Sequence, residues 1–436
     1  MKVLKFGGTS VGSPQRMKEV CKIFLTDHRN LVVLSAMSGT TNSLVEIAEY
    51  FKKGNPEAAS LVINQMRLKY DQHVQDLYST TEWRERTYLF LNDIFSFLFS
   101  FANSDFDEKA EKTIVAQGEI ISTNMVTNYL LEKGIKATLL SALDFMRLSE
   151  NGEPDLPYIK EKLGPIIEAN KESDVFITQG FIARNSQGEI DNLQRGGSDY
   201  TACLIGAALK AEEIQIWTDI DGMHNNDPRY VKNTKPVRQL NFEEAAELAY
   251  FGAKILHPTC IQPARYADVP VRLLNTMEPS APGTIINNEM RPNAIKAVAA
   301  KDNITAIKII SSRMFLAHGF LSRVSKVFEK YQTSVDMITT SEVGISLSID
   351  NRTHLDSIVK KLKQYGTVEI DDDMCIICVV GDLRWGNVDF ETKILQALSK
   401  VPIRMISYGG CNHNISFLIR AQDKKLALNA LSESLF

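Results

Sequence analysis

The sequence holds no apolar stretch that approaches membrane-spanning length. Its start, Met1-Lys2-Val3-Leu4-Lys5-Phe6-Gly7-Gly8, runs into glycines without the apolar region or cleavage site of a secretory signal. No membrane partner is expected, and the chain reads as cytoplasmic. A basic footprint is missing too: 49 Lys and Arg against 53 Asp and Glu give a net charge of −4, mixed along the chain, so nucleic acid is not the expected partner. Cysteines are few. Cys21, Cys203, Cys260, Cys375, Cys378 and Cys411 are scattered over 436 residues, which excludes a disulfide scaffold. Only Cys375 and Cys378 have metal-like spacing, and they lie in an apolar run that reads as a buried strand, where residues three apart face opposite sides.

What is present is an ordinary globular composition, 44% hydrophobic and 23% charged, on a chain too long for one core, so two or three domains are expected. Up to about residue 275 short apolar runs alternate with helical patterns, as a mostly parallel sheet covered by helices requires. Strands are expected at 3–6, 31–35, 137–141, 175–180, 213–218 and 271–275. Residues 46–129 read as several helices, with Phe95, Phe97, Phe99 and Phe101 as core. Pro, Gly and Asn cluster at 278–284 and 287–292 and suggest a domain boundary. Beyond it a pattern repeats: 335–347 resembles 403–417, aligning Met337-Ile338 with Met405-Ile406 and Ile345-Ser346 with Ile415-Ser416. Each copy follows a strand and a helical stretch (304–310 and 319–331; 375–381 and 390–399) and precedes another helical stretch (354–365; 422–434). That order builds a small sheet with helices on one face, twice.

Several segments carry chemistry. Gly7-Gly8-Thr9-Ser10 follows the first strand, where α/β sheets bind ligands, and glycines there admit phosphate close to the backbone. It is not a P-loop, since Lys5 precedes the glycines and no Gly-Lys-Ser/Thr follows; a plain turn is the alternative. Lys5 favours the ligand reading, because a cation on a core strand is costly without an anion. The segment 35–42, Ser-Ala-Met-Ser-Gly-Thr-Thr-Asn, is dense in hydroxyls and opens a helix, as a cap or an anion site does. Arg195-Gly196-Gly197-Ser198-Asp199 places a planar cation and an acid about a glycine pair at a helix start. The loop Thr218-Asp219-Ile220-Asp221-Gly222 with Asp227-Pro228-Arg229 has alternating acids, but Pro228 and Arg229 stand in the later part of what would be a calcium loop. Lys254, in Gly252-Ala253-Lys254-Ile255-Leu256-His257-Pro258, is in isolation equally a surface lysine.

Together these segments resemble the aspartokinases, in that family's order and over essentially the whole chain. Its signatures are matched by Lys5-Phe6-Gly7-Gly8-Thr9-Ser10, Arg195-Gly196-Gly197-Ser198-Asp199, Trp217-Thr218-Asp219-Ile220-Asp221-Gly222 and the 252–258 segment. The resemblance implies an α/β fold: a three-layer αβα amino-acid-kinase domain with a central mostly parallel sheet at 1–285, and two C-terminal α+β, ferredoxin-like ACT domains at 294–436. The first ACT domain, about 301–372, is inserted in the second, about 294–300 plus 373–436, so that 294–299 is implied as a strand of the second although it precedes the first in sequence. It implies ATP-dependent phosphorylation of the side-chain carboxylate of L-aspartate to 4-phospho-L-aspartate, the first step of lysine, threonine and methionine biosynthesis. Lys5 and Asp199 are implied as catalytic. Ser35, Thr41, Glu119, Phe181, Arg195 and Ser198 are implied at the substrate, with Glu119 receiving its ammonium. The implied ATP-binding set is Lys5, Phe6, Gly7, Gly8, Thr9, Ser10, Thr218, Asp219, His224, Arg229 and Lys254. Magnesium arrives with ATP on phosphates and waters, and no side chain is assigned as a dedicated metal ligand. His224 departs from the family, which has tyrosine there; ring stacking on nucleotide and a solvated loop residue both stand.

In the regulatory half Met314, Gly319, Phe320, Leu321, Ser334, Val335, Asp336, Thr340, Ser341 and Glu342 match the effector pocket of lysine-sensitive aspartokinases, and Asp336 and Glu342 suit a dibasic amino acid. Leu316 stands where those relatives have histidine, and threonine is the alternative effector. A homodimer or higher homo-oligomer through the ACT domains is implied. A bifunctional enzyme would need a dehydrogenase domain after Phe436, so a monofunctional one is expected. The rival readings are another amino-acid-kinase enzyme, disfavoured by the tandem sensing domains, and a non-catalytic amino-acid sensor, disfavoured by intact Lys5, Glu119, Arg195, Asp199 and Lys254.

Overall fold

The computed structural model describes the whole chain except residues 27, 104–105, 194–195, 253–255, 293 and 312–317. By its internal contacts the chain forms two compact units, Met1–Met223 with Ile255–Asn288, and His224–Lys254 with Glu289–Phe436.

The first unit begins β1 (Lys2–Phe6), α1 (Pro14–Phe24), β2 (Asn30–Leu34), α2 (Thr40–Lys52), α3 (Pro56–Leu77), α4 (Thr81–Ser100) and α5 (Glu108–Glu132). There follow β3 (Ala137–Leu140), α6 (Leu156–Ala169), β4 (Val175–Gln179), β5 (Ile182–Arg184), β6 (Ile190–Asn192), α7 (Gly197–Leu209) and β7 (Ile214–Thr218). The chain then contributes β8 (Gln239–Asn241) and α8 (Phe242–Tyr250) to the second unit. It returns for α9 (Gln262–Ala267), β9 (Val271–Asn275) and β10 (Thr284–Asn287).

Six of these strands, in the order β3-β4-β2-β1-β7-β9, are parallel. Each expected strand is found, its ends shifted by a residue at most. β10 pairs antiparallel with β9; it was not anticipated, because it sits inside the Pro- and Gly-rich stretch that reads as a boundary. Alternation along the strands sends Leu4, Phe6, Val32 and Leu34 into one core with α1 to α5. Lys5 points the other way, to the side where α7 lies against β1 and β2. In α4 Phe95 is buried and Phe99 packs partly against the same core, as does Phe101 just past its end, but Phe97 is 40% exposed. A helix turns about 100° per residue, so a series two residues apart cannot keep one face.

The second unit continues with β11 (Ile295–Ile310), α10 (Phe320–Lys330), β12 (Met337–Thr340), β13 (Gly344–Ile349), α11 (Leu355–Leu362) and β14 (Thr367–Gly381). It closes with α12 (Phe390–Ala397), β15 (Ile403–Tyr408), β16 (Asn414–Arg420) and α13 (Lys424–Leu435). The strands form an antiparallel sheet in the order β12-β13-β11-β14-β16-β15. The segments expected as separate strands at 294–299 and 304–310 are one strand of 16 residues, paired throughout with the 15-residue β14. A register shift between Lys301 and Ile304, with Asn303 at φ 60°, marks where the two halves join. Each half has its own core, one around Ile307, Phe320, Leu347 and Ile358, the other around Cys375, Ile377, Phe417 and Leu428. Cys375 and Cys378 are both fully buried in β14.

Candidate active site

Parallel strands end on one side of a sheet, so the turns after β1, β2 and β4 converge there with the start of α7. They enclose a cavity of about 740 Å³ lined by Lys5, Gly8, Ser35–Gly39, Thr41, Glu119, Phe181, Ser198 and Asp199, among others. Lys5 Nζ lies 2.7 Å from Asp199 Oδ1, both side chains 13% exposed. Asp199 stands in the first turn of α7, where an acid meets the positive end of the helix.

After β1 the chain turns tightly, Ser10 N and Val11 N donating to Gly7 O at 3.0 and 3.3 Å. Gly8 packs its backbone on the next loop: Ser38 N donates to Gly8 O at 3.1 Å, and a Cβ on Gly8 would stand 2.8 Å from Ala36 O. Phe6 is in the core, stacked on Trp217, so only its backbone faces the turn. Ser10 is buried with its hydroxyl 2.7 Å from that of Thr276.

Glu119 comes from the middle of α5. Gly118 lets that helix approach the 35–42 loop, since a Cβ there would fall 2.8 Å from Ala36 Cβ. The Glu119 carboxylate accepts from Ala36 N at 3.1 Å through Oε1, while Oε2 is buried without a partner. Burial pushes its pKa up to about 7, against the lowering effect of the Ala36 amide. Across the cavity Phe181 holds φ 69°, a left-handed conformation uncommon for an aromatic residue, with its N–H donating to Thr201 Oγ1 at 3.0 Å.

Compared with known proteins, the chain matches the amino acid kinase family over residues 1–275 and the ACT domain over residues 377–435. It is 34% identical over its whole length to Aspartokinase 1, chloroplastic, of Arabidopsis thaliana, covering 80% of that protein. It is 32% identical over its whole length to Lysine-sensitive aspartokinase 3 of Escherichia coli, covering 99% of it. This chain belongs to the aspartokinase family. The fold agrees with that of E. coli aspartokinase III in complex with aspartate and ADP (R-state), at a TM-score of 0.84 and 32% identity over the full length of both chains. It agrees similarly with that enzyme in complex with lysine and aspartate (T-state), at a TM-score of 0.83 and 33% identity over 100% of this chain and 99% of the other. Aspartokinases phosphorylate the side-chain carboxylate of aspartate, and this chain is an aspartate kinase.

The other positions expected at the catalytic and effector sites lie as follows. Thr218 ends β7 and its hydroxyl donates to Asp219 Oδ1 at 3.1 Å. Asp221 Oδ1 accepts from Gly283 N at 3.1 Å. In the second unit Arg229 is folded on to Asp227, Nη2 to Oδ2 at 2.7 Å, and His224 Nδ1 lies 2.9 Å from Thr234 Oγ1. Arg195, Lys254 and Met314 lie outside the described residues, as does Leu316. Of the effector positions, Gly319 at φ 76° caps α10, Phe320 is buried in the core, and Leu321 is 47% exposed. Ser334 and Val335 lead to Asp336, ahead of β12; Thr340 ends that strand; Ser341 Oγ donates to Gly344 O at 3.4 Å, and Glu342 is exposed in the turn. No group of three or more His, Cys, Asp and Glu suited to a metal ion occurs among the described residues.

The structure adds residues that no motif announced. Lys112, on α5, lines the cavity and pairs with Asp191 at 2.9 Å; Asn192, at the end of β6, lines it too. Lys69 Nζ donates to Ser38 O at 3.2 Å and Tyr70 OH lies 2.7 Å from Thr40 Oγ1, so two neighbours on α3 hold the 35–42 loop from behind. Lys112, Lys69 and Tyr70 sit in helices whose sequence reads as packing, and only contact reveals them.

Proposed function

We propose that aspartate binds in the cavity with its ammonium on Glu119, its carboxylates toward Arg195 and the Lys5 side, and Ser35, Thr41, Phe181 and Ser198 around it. The observation that carries this is the buried Glu119 carboxylate, one oxygen unpartnered, in the wall of the same cavity as Lys5. An acceptor without a partner inside a protein is costly, and an ammonium satisfies it. Aspartate's side-chain carboxylate is already ionised at neutral pH, so attack on the γ-phosphoryl group needs no general base. Positioning and charge neutralisation supply the catalysis. Lys5 neutralises the phosphoryl oxygens, and Asp199 holds the Lys5 ammonium at the strand end. The amides after β1, at Gly7, Gly8 and Thr9, with Thr218 and Asp219 beyond β7, face the nucleotide of ATP; Phe6 and Ser10 contribute through backbone. The assignments of His224, Arg229 and Lys254 rest on the motif resemblance. Magnesium enters as MgATP, held by phosphates and water.

We infer further that 1–285 is the catalytic domain and that 294–436 is an ACT pair, the first inserted in the second. The division of β11 and β14 between two cores supports this. Lysine is the feedback effector, as the likeness to a lysine-sensitive aspartokinase favours. Two copies associate through the ACT region, where β12 lies at the sheet edge and Ile338 and Val343 are 41% and 51% exposed. No helix among the described residues is long and apolar enough to cross a membrane, and a cytoplasmic location fits that.

The test is ADP release with MgATP and aspartate, glutamate or no acceptor, each with and without lysine or threonine. Aspartate-dependent turnover suppressed by lysine is expected. Turnover with glutamate alone contradicts the substrate site, and inhibition by threonine instead of lysine contradicts the effector.

A further inference from the structure

Four side chains of the second unit meet where the two sheet halves join. Lys301, at the register shift of β11, places Nζ 2.7 Å from Asp336 Oδ1 and 2.9 Å from Asp350 Oδ2. The same ammonium stands 4.4 Å from the centre of the Tyr250 ring, and Tyr250 OH donates to Asp336 Oδ1 at 2.9 Å. Two carboxylates and an aromatic face are what binds a primary ammonium on an alkyl stem. The chain fills that place with a lysine of its own.

The site is not electrically complete. Two carboxylates against one ammonium leave one negative charge, and the Asp336 side chain is only 1% exposed. Its Oδ1 carries both contacts, whereas Oδ2 is buried with no hydrogen-bond partner. Burial raises the Asp336 pKa even with Lys301 beside it, so the ammonium present does not offset the cost of burial. Asp336 leads into β12, which is hydrogen-bonded on one side only, at the edge of the sheet.

We propose that Asp336, Asp350 and Tyr250 form an ammonium site for two cations, with Lys301 in one place and the side-chain ammonium of a dibasic amino acid taking the other at Asp336 Oδ2. The inference rests on reading Asp336 as an effector residue and adds Asp350, Lys301 and Tyr250 to it. It gives the specificity a cause. Lysine brings a second ammonium to a site of net negative charge; threonine brings a hydroxyl, which leaves the charge unbalanced. Lys301 opposes the incoming cation and Asp350 attracts it, so the two substitutions shift affinity in opposite directions.

The experiment is calorimetric titration of the full chain with L-lysine and L-threonine, in wild type, Lys301→Met and Asp350→Asn, with potassium chloride at matched ionic strength as control. Lys301→Met is expected to bind lysine roughly fivefold more tightly and Asp350→Asn roughly fivefold more weakly, the scale of one part-screened charge pair. Threonine binding and uninhibited turnover stay unchanged. If the wild type binds no lysine, the effector reading fails and takes this inference with it. If the wild type binds lysine but both variants bind it equally well, or Lys301→Met binds it more weakly, the effector reading stands and the two-cation site is wrong. Potassium that competes with lysine overturns it as well. Should Lys301→Met not fold, Asp350→Asn decides alone: its position is exposed, and an unchanged lysine affinity refutes the proposal.

Discussion

The ammonium of Lys5 and the carboxylate of Asp199, 194 positions apart in sequence, lie 2.7 Å from each other in the lining of the cavity at the strand ends. The pair joins the end of β1 to the first turn of α7, so the cation proposed to meet phosphate is aimed by a helix start rather than by its own flexible stem. Replacing Lys5 by Met should lower kcat by about 10²–10³, the usual effect of removing one preorganised charge-stabilising group. Asp199→Asn should lower it less, and the double variant should be little worse than Lys5→Met alone, because the acid acts through the lysine. Steady-state kinetics of the three variants checks this.

Glu119 should make the enzyme sensitive to pH. With its pKa raised from 4.5 to about 7 by burial, the carboxyl is neutral in the free enzyme below that pH and cannot receive an ammonium. The kcat/KM for aspartate should fall as pH drops through 7, and Glu119→Gln should flatten that limb while raising KM. Stability moves the opposite way. A raised folded-state pKa contributes stability that is fully present below about 4.5 and lost as pH rises through 7, on the order of 3 kcal/mol in all. The melting temperature without ligand should therefore decline from pH 5 to 8, less so in Glu119→Gln, and added aspartate should restore it.

Gly118 and Ala36 are packed so closely that a methyl group on the first meets the second at 2.8 Å. Gly118→Ala should push α5 from the 35–42 loop, cost about 1–3 kcal/mol and raise the aspartate KM. Adding Ala36→Gly should recover part of both losses. Thermal unfolding together with kinetics separates this relief from a general loss of structure.

The Tyr70 hydroxyl, fully buried, holds Thr40 at 2.7 Å behind the 35–42 loop. Tyr70→Phe should cost about 1 kcal/mol of stability and raise the aspartate KM several-fold while the ATP KM holds. Thr40→Ser, which keeps a hydroxyl, should behave as wild type, and Thr40→Val should match Tyr70→Phe.

Much of this protein was written locally. The parallel strands were legible because each is a short apolar run closed by glycine or hydroxyl residues, and Lys5, Gly7-Gly8, 35–42 and 196–199 stand at strand ends or a helix start, where backbone geometry alone exposes them. Their residue types announced anion and carboxylate chemistry before any contact was known. Glu119 was recognisable only through its likeness to a family, since an acid within a long helix carries no sign of what it faces. The tertiary structure decided the rest. It merged the two expected strands into β11, because pairing along β14 satisfies the backbone through the register shift. It turned Phe97 outward, because the helical period overrides an alternating pattern. It set Lys69 and Tyr70 behind the 35–42 loop, and brought Lys301 and Tyr250 to Asp336. Pairings of this kind depend on which elements pack together, and a buried charge shows what it needs only when its neighbours are in place.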